Sequence, residues 1–121
     1  MTLHLSTSNA ATLSLSTYGS VTNQVSNANG YATSGKSFNN TRTAGASAGQ
    51  YRFNTTSIGV FWSANAGTIA GIKFAVIWCS GASAGAKKLL AYAALSAGAF
   101  NITAGNRLAI SPTASGFFDM A

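Results

Sequence analysis

Acidic residues are almost absent from this chain: Asp119 stands alone against seven Lys and Arg, giving a net charge of +6. General acid–base catalysis needs two titratable groups with separated pKa values, and besides Asp119 the chain offers only one His, His4, and one Cys, Cys79. A Cys79–His4 nucleophilic pair is arithmetically possible. Both residues fall in strand-like stretches, however, where two unrelated structural roles are the expected reading. One imidazole and one thiol also fall short of the roughly three or four ligands that a zinc site takes. The Gly-rich stretches lack the Lys-Ser/Thr ending of a phosphate-gripping loop. An enzyme is not expected, nor a cofactor or metal site.

Other scarcities narrow the class further. A single cysteine excludes an internal disulfide, and Cys79, next to Trp78 at the end of the most apolar segment, is expected to be a buried thiol. The longest apolar run, 74–79, is far shorter than the roughly 20 residues a membrane helix needs. No basic segment precedes an apolar one near the N-terminus, so no signal peptide is expected. Charged residues make up 7% of the chain, where an ordinary soluble domain carries about a quarter. Two surfaces fit such depletion: one packed against copies of itself or a partner, and one exposed but neutral and rich in hydroxyls.

The cations Lys36, Arg42, Arg52, Lys73, Lys87, Lys88 and Arg107 form no long run. Nucleic-acid binding would ordinarily show a clustered stripe or a known motif. A basic subunit meeting an acidic partner surface fits better, with long-range attraction assisting encounter.

What the chain does have is alternation. Residues 72–95 read IKFAVIWC, a Ser/Gly/Ala run, then KKLLAYAAL. Ile72, Phe74, Val76 and Trp78 fall on one side at period two, which predicts a core strand, and 89–95 returns as its hairpin partner. Helix propensity is high over 88–97, but the position directly after a strand and a short loop favours strand. Leu3 and Leu5 alternate inward with Thr2, His4 and Ser6 outward, and Leu13 and Leu15 make a second short alternation. Residues 31–38 suggest an edge strand bent at Gly35, whereas 39–49 reads as a linker. Tyr51 and Phe53 flank Arg52 in a further strand-like piece, and Ile58, Val60 and Trp62 share one face of the next. Phe100 with Ile102, a Gly105-Asn106 turn, and Leu108 with Ile110 predict another hairpin; Pro112 limits the ladder after it to an edge or a break.

The sum is about seven or eight short strands with Gly/Ser/Asn turns and no secure helix, hence an all-β chain. We expect one domain over residues 1–121, a single β-sandwich or flattened barrel, with 1–28 as an N-terminal anchoring or partner-contacting arm. Trp62 and Trp78 are expected in the core rather than on a stacking platform. Tyr51-Arg52-Phe53 is the best candidate for an exposed aromatic-basic patch. The ending GFFDMA is unusually apolar for a terminus and is expected to dock as a last strand or against a neighbour. The candidate interface residues are therefore Arg42, Tyr51, Arg52, Phe117, Phe118 and Met120.

A block order joins these pieces. NGYATSGKSF at 29–38, TAGASAGQYRF at 43–53, FWSANAGTIAGIKFAVIW at 61–78, KLLAYAALS at 88–96, and FNITAGNRLAI with GFFDMA within 100–121 together resemble a group of small virion proteins encoded among the structural genes of tailed bacteriophages. The resemblance lies in the order of the blocks over 29–121, not in one diagnostic motif. It implies a virion structural protein; together with the charge depletion, the net positive charge and the apolar ending it leads us to expect a capsid decoration or cement protein on the outside of the head, made in the host cytoplasm. Its implied partners are the major capsid protein and copies of itself, as a trimer around a threefold position. The alternative it leaves open is a tail-associated knob, fibre or receptor-binding module facing a host glycan. No catalytic residue accompanies the pattern.

Overall fold

The alternating stretch around residue 74 forms the longest strand of the fold, β5 (Ile69–Cys79), and both core clusters are built on it. In this computed structural model the described residues are 1–45, 47–55, 59–79, 87–112 and 118–120, with the backbone alone for 40, 42, 55 and 118–120. The chain is all-β. In order come β1 (Thr2–Leu5), a 3-10 turn (Tyr18–Ser20), β2 (Asn40–Ala44), β3 (Tyr51–Thr55), β4 (Val60–Ser63), β5, β6 (Lys88–Ala94), β7 (Phe100–Ile102), β8 (Arg107–Ile110) and β9 (Phe118–Met120). They build three antiparallel sheets: β1-β5-β6 with β7 also on β5, β2-β3-β9, and β4-β8. Ile72 pairs with Leu5 on one edge and Phe100 on the other, so β7 continues the β6 side of β5.

The β5–β6 hairpin forms as expected, from Phe74↔Ala94 to Cys79↔Lys88. Strand context has overridden the helix propensity of Leu and Ala. One detail of the face assignment is overturned. His4 pairs with Phe74 but Leu5 with Ile72, so Lys73 is an extra residue on β5, and this bulge turns Ile72 to the face opposite Phe74. Gly71, at φ +72°, supplies the left-handed backbone beside the bulge. Ile72, Ala75 and Ile77 therefore join the larger core cluster with Leu3, Tyr31, Trp62, Ile69 and Ile102, while Phe74 and Val76 join Ala10 in a second. β5 is buried on both faces. Each fully buried aliphatic side chain there contributes about 1.5–3 kcal/mol.

Two different covers seal those faces. Over the larger cluster lies the β4–β8 ribbon, with Val60 and Trp62 inward, Phe61 turned out at 55% exposure, and Leu108 and Ile110 packing alongside. Over the smaller one runs the polar segment 9–22, whose Ala10, Tyr18 and Val21 meet Phe74, Val76, Trp78 and Leu89. This strap is pinned at both sheet edges. Leu89 N–H donates to Ser16 O (3.1 Å) and Tyr18 N–H to Lys87 O (2.8 Å) at the β6 edge, while Leu5 N–H donates to Asn23 O (2.9 Å) and Val25 N–H to Leu3 O (3.0 Å) at the β1 edge. Asn9 ties the strap internally, its Oδ1 accepting from Thr22 N–H at 2.8 Å and its Nδ2 donating to Ser20 O at 3.0 Å. Side-chain-to-backbone bonds of this kind let a Ser/Thr/Asn-rich segment hold shape with few apolar residues.

Several sequence expectations are corrected by this layering. Thr2 and His4 are buried, not outward, because the strap covers their face. The stretch 1–28 supplies β1, Ala10 and Val25 to the two cores. Leu13 and Leu15 form no strand. Residues 31–38 are not an edge strand either: Tyr31 plugs into the core and bonds the backbone of Leu3, and a turn closes Gly35 N–H onto Ala32 O at 2.8 Å. The expected linker 39–49 contains β2. β7 and β8 do not pair with each other, since β7 adds to β5 and β8 to β4. Ile58 lies outside the described residues.

Candidate interaction surface

The register brings most of the sequence-selected interface residues into one sheet. β2 and β3 pair from Asn40↔Thr55 to Ala44↔Tyr51, placing Arg42 opposite Phe53 and Thr43 opposite Arg52. β9 closes the other side of β3, with Tyr51↔Met120, Arg52↔Asp119 and Phe53↔Phe118. Arg42, Tyr51, Arg52, Phe118 and Met120 thus converge from three strands; Phe117 lies outside the described residues. The β2–β3 turn is held by Gly45 N–H donating to Gln50 O at 2.9 Å and Ser47 N–H to Gln50 Oε1 at 3.2 Å. An added Cβ at Gly45 would sit 2.5 Å from that of Gln50, so the turn needs a residue without one.

This sheet differs from the rest of the molecule in one respect. Both core clusters draw on β1 and β4–β8 or on the strap, and neither includes a described residue of β2, β3 or β9. Thr41, Thr43 and Ala44 are exposed, Tyr51 is 49% exposed, and Arg52, Phe53 and Asn54 are half-buried. The one acidic residue of the chain stands at the register position opposite Arg52, where a cross-strand pair of opposite sign is favourable. Arg42 on β2 then leaves the three strands with one more cation than acid.

The residues weighed for chemistry lie elsewhere. His4 is buried under the strap; its Nδ1–H donates to Thr22 O at 3.0 Å, which leaves Nε2 to accept from the Thr2 hydroxyl at 3.2 Å. Burial lowers its pKa below the usual imidazole range, opposed in part by the Thr22 bond. Cys79 is exposed rather than buried. It sits five positions along β5 from Phe74, the register partner of His4, a separation of about 16 Å along a strand. The geometry does not bring the two together. Among the described residues, no three His, Cys, Asp or Glu side chains gather into a metal-binding group.

Trp62 is enclosed in the larger cluster, as expected, while Trp78 is only partly covered. Trp78 stacks on Tyr18 (centroids 4.9 Å apart, 28° between planes), and Lys87 Nζ lies 4.4 Å from the Trp78 ring centroid. Burial raises the pKa of the Tyr18 phenol, with Thr2 acting the other way. A cavity of about 190 Å3 beside this stack is lined by Met1, Lys36, Phe38, Trp78, Cys79 and Leu90, among others. The candidate interface residues did not include Leu13, 91% exposed on the strap, or Tyr92, 40% exposed on β6. Tyr92 sits in an apolar return strand that reads as interior, and the short alternation at Leu13 and Leu15 reads as a strand, whereas in the structure it belongs to the strap. No family model, no curated protein and no solved structure matches this chain.

Proposed function

We propose that this chain is a bacteriophage virion structural protein, a capsid decoration protein that binds the assembled head and stabilises it. The observation that carries the reading is the β2–β3–β9 sheet, none of whose described residues belongs to either core cluster, collecting Arg42, Arg52 and Tyr51 on a chain of net charge +6. Tyr51, an aromatic 49% exposed on that sheet, supports a partner-facing role. The positive charge supports a partner of opposite sign, and the resemblance of the sequence blocks to small phage virion proteins supports the major capsid protein as that partner.

The mechanism is mass action. A subunit that binds the closed lattice and not its dissociated pieces shifts the equilibrium toward the lattice. Many modest contacts repeated over a shell then add up to a large resistance to internal pressure. Charged residues make up only 7% of the chain, which suits close packing because few charges require compensation.

The test compares particles with and without this protein. Particles lacking it are expected to release DNA at a lower temperature, and adding back the Arg52→Ala or Tyr51→Ala variant is expected to restore less resistance than the wild type. Equal heat resistance with and without the protein overturns the reading. A copy number of a few dozen or fewer per particle, in place of hundreds, would assign it to the tail instead.

A further inference from the structure

The outer edge of β6 is only half covered. At its start the strap supplies partners, Ser16 O to Leu89 N–H and Tyr18 N–H to Lys87 O. Farther along, Leu95 N–H donates to Lys73 O at 2.8 Å, so the backbone groups of Ala93 and Ala91 also aim at β5. By strand alternation Tyr92 and Ala94 turn their N–H and C=O groups the other way. Among the described residues nothing bonds them there. The side chains around this edge are apolar and open: Tyr92, Ala93 and Ala94 are exposed, and Leu13, Leu15, Leu89 and Ala91 line an adjoining groove of about 340 Å3. Unpaired edges of this kind pair with another strand unless something blocks them, and no charge, proline or bulge interrupts positions 91–94.

We propose that the outer edge of β6 pairs antiparallel with the same edge of a second copy of this chain, about a twofold axis at Ala93. With the axis at Ala93, Tyr92 lies opposite Ala94 of the second copy, and each such pair exchanges both N–H···O bonds, which satisfies all four open groups of each chain. Ala93 meets its own copy in the non-bonded position, where Cα atoms approach to about 4.5 Å and a small side chain is needed. The Tyr92 ring falls across a methyl group rather than a second ring, so large meets small on both sides of the axis. The sequence is self-complementary in shape.

Charge selects the occupant. No charged residue occurs from 89 to 106, so the open part of this edge carries no cation to recruit an acidic partner. For two copies of net charge +6, a neutral edge is where approach costs least. Lys88 falls level with Gly98 of the second copy and meets no like charge directly opposite. The exposed Leu13 and Tyr92 lie on the same side of the sheet as the second core cluster, and pairing covers them in both copies. An isologous edge closes at two copies, so the self-association it supports is dimeric, unlike the trimer expected from the sequence. It does not involve the β2–β3–β9 sheet.

Sedimentation equilibrium of the full chain tests this. The wild type is expected to be a monomer–dimer system. Ala93→Lys, which sets two ammonium groups across the axis, and Ala94→Pro, which deletes an outward N–H without touching the β5 ladder, are each expected to weaken dimerisation at least tenfold. Far-UV circular dichroism confirms that each variant keeps its strands. Mixing Ala93→Lys with Ala93→Glu is expected to restore a heterodimer, a result that partial unfolding could not produce. A wild type that is monomeric or trimeric, variants that dimerise with native affinity, or a mixture that fails to reassociate would each overturn the proposal.

Discussion

Tyr31→Phe isolates a single hydrogen-bond donor. Leu3 is fully buried in β1, and its N–H points away from β5 to the Tyr31 hydroxyl at 3.0 Å. Leu3 O keeps a partner without that hydroxyl, because Val25 N–H reaches it at 3.0 Å. The Gln24 amide also keeps one, since its Nε2 donates to Thr33 O at 2.7 Å as well as to Tyr31. Phenylalanine retains the ring packing, so the substitution orphans only the Leu3 N–H. An unsatisfied buried donor costs about 1–3 kcal/mol. At this chain length that corresponds to about 4 °C of Tm per kcal/mol, or a fall of about 4–12 °C. Urea unfolding gives the free energy, and amide exchange at Leu3 shows whether opening has become local. A variant within about 0.5 kcal/mol of the wild type, with Leu3 still protected, would refute the claim that a tyrosine hydroxyl stands in for a missing strand at the β1 edge.

Three more outcomes rest on the same geometry. His4 has a lowered folded pKa, so the unfolded chain binds more protons; the His4 contribution to stability is expected to be full above pH 6.5 and to fall as pH drops below it. The Met1 amino group, which burial lowers from 8.0 to about 6, works in the same direction, so urea titrations of wild type and His4→Asn are compared and only the imidazole part of the slope should vanish. Ile72→Ala is expected to cost about 2–5 kcal/mol, since its side chain is fully buried beside the bulge, while Leu13→Ser should change monomer stability by less than about 0.5 kcal/mol and yet weaken self-association. Lys87→Ala removes the cation over Trp78 and is expected to cost about 0.5–1 kcal/mol and to alter Trp fluorescence; an unchanged spectrum would mean the contact is not made in solution.

The register of β3 and β9 brings most of the sequence-selected residues together. Tyr51-Arg52-Phe53 and the apolar ending stand out as places where aromatic and basic residues lack an obvious core role, and pairing of β3 with β9 brings them side by side. β2 was not legible, because its sequence NTRTA carries no apolar alternation and forms a strand only by having β3 beside it. The edge of β6 was hidden for the opposite reason. LLAYAA reads as interior, and nothing local reveals that the strap stops short at Leu89.

By itself the sequence determined the class of molecule. Period-two patterning with frequent turn residues leaves strands as the only way to bury these apolar side chains, and one carboxylate on a chain of net charge +6 sets its electrostatics whatever the fold. Tertiary structure decided which side of each strand is inside. A single extra residue at Lys73 reverses the face of Ile72, and a polar strap fixed by backbone hydrogen bonds buries Thr2 and His4. Both effects arise from pairings between residues far apart in the chain, and local pattern holds no information about those partners.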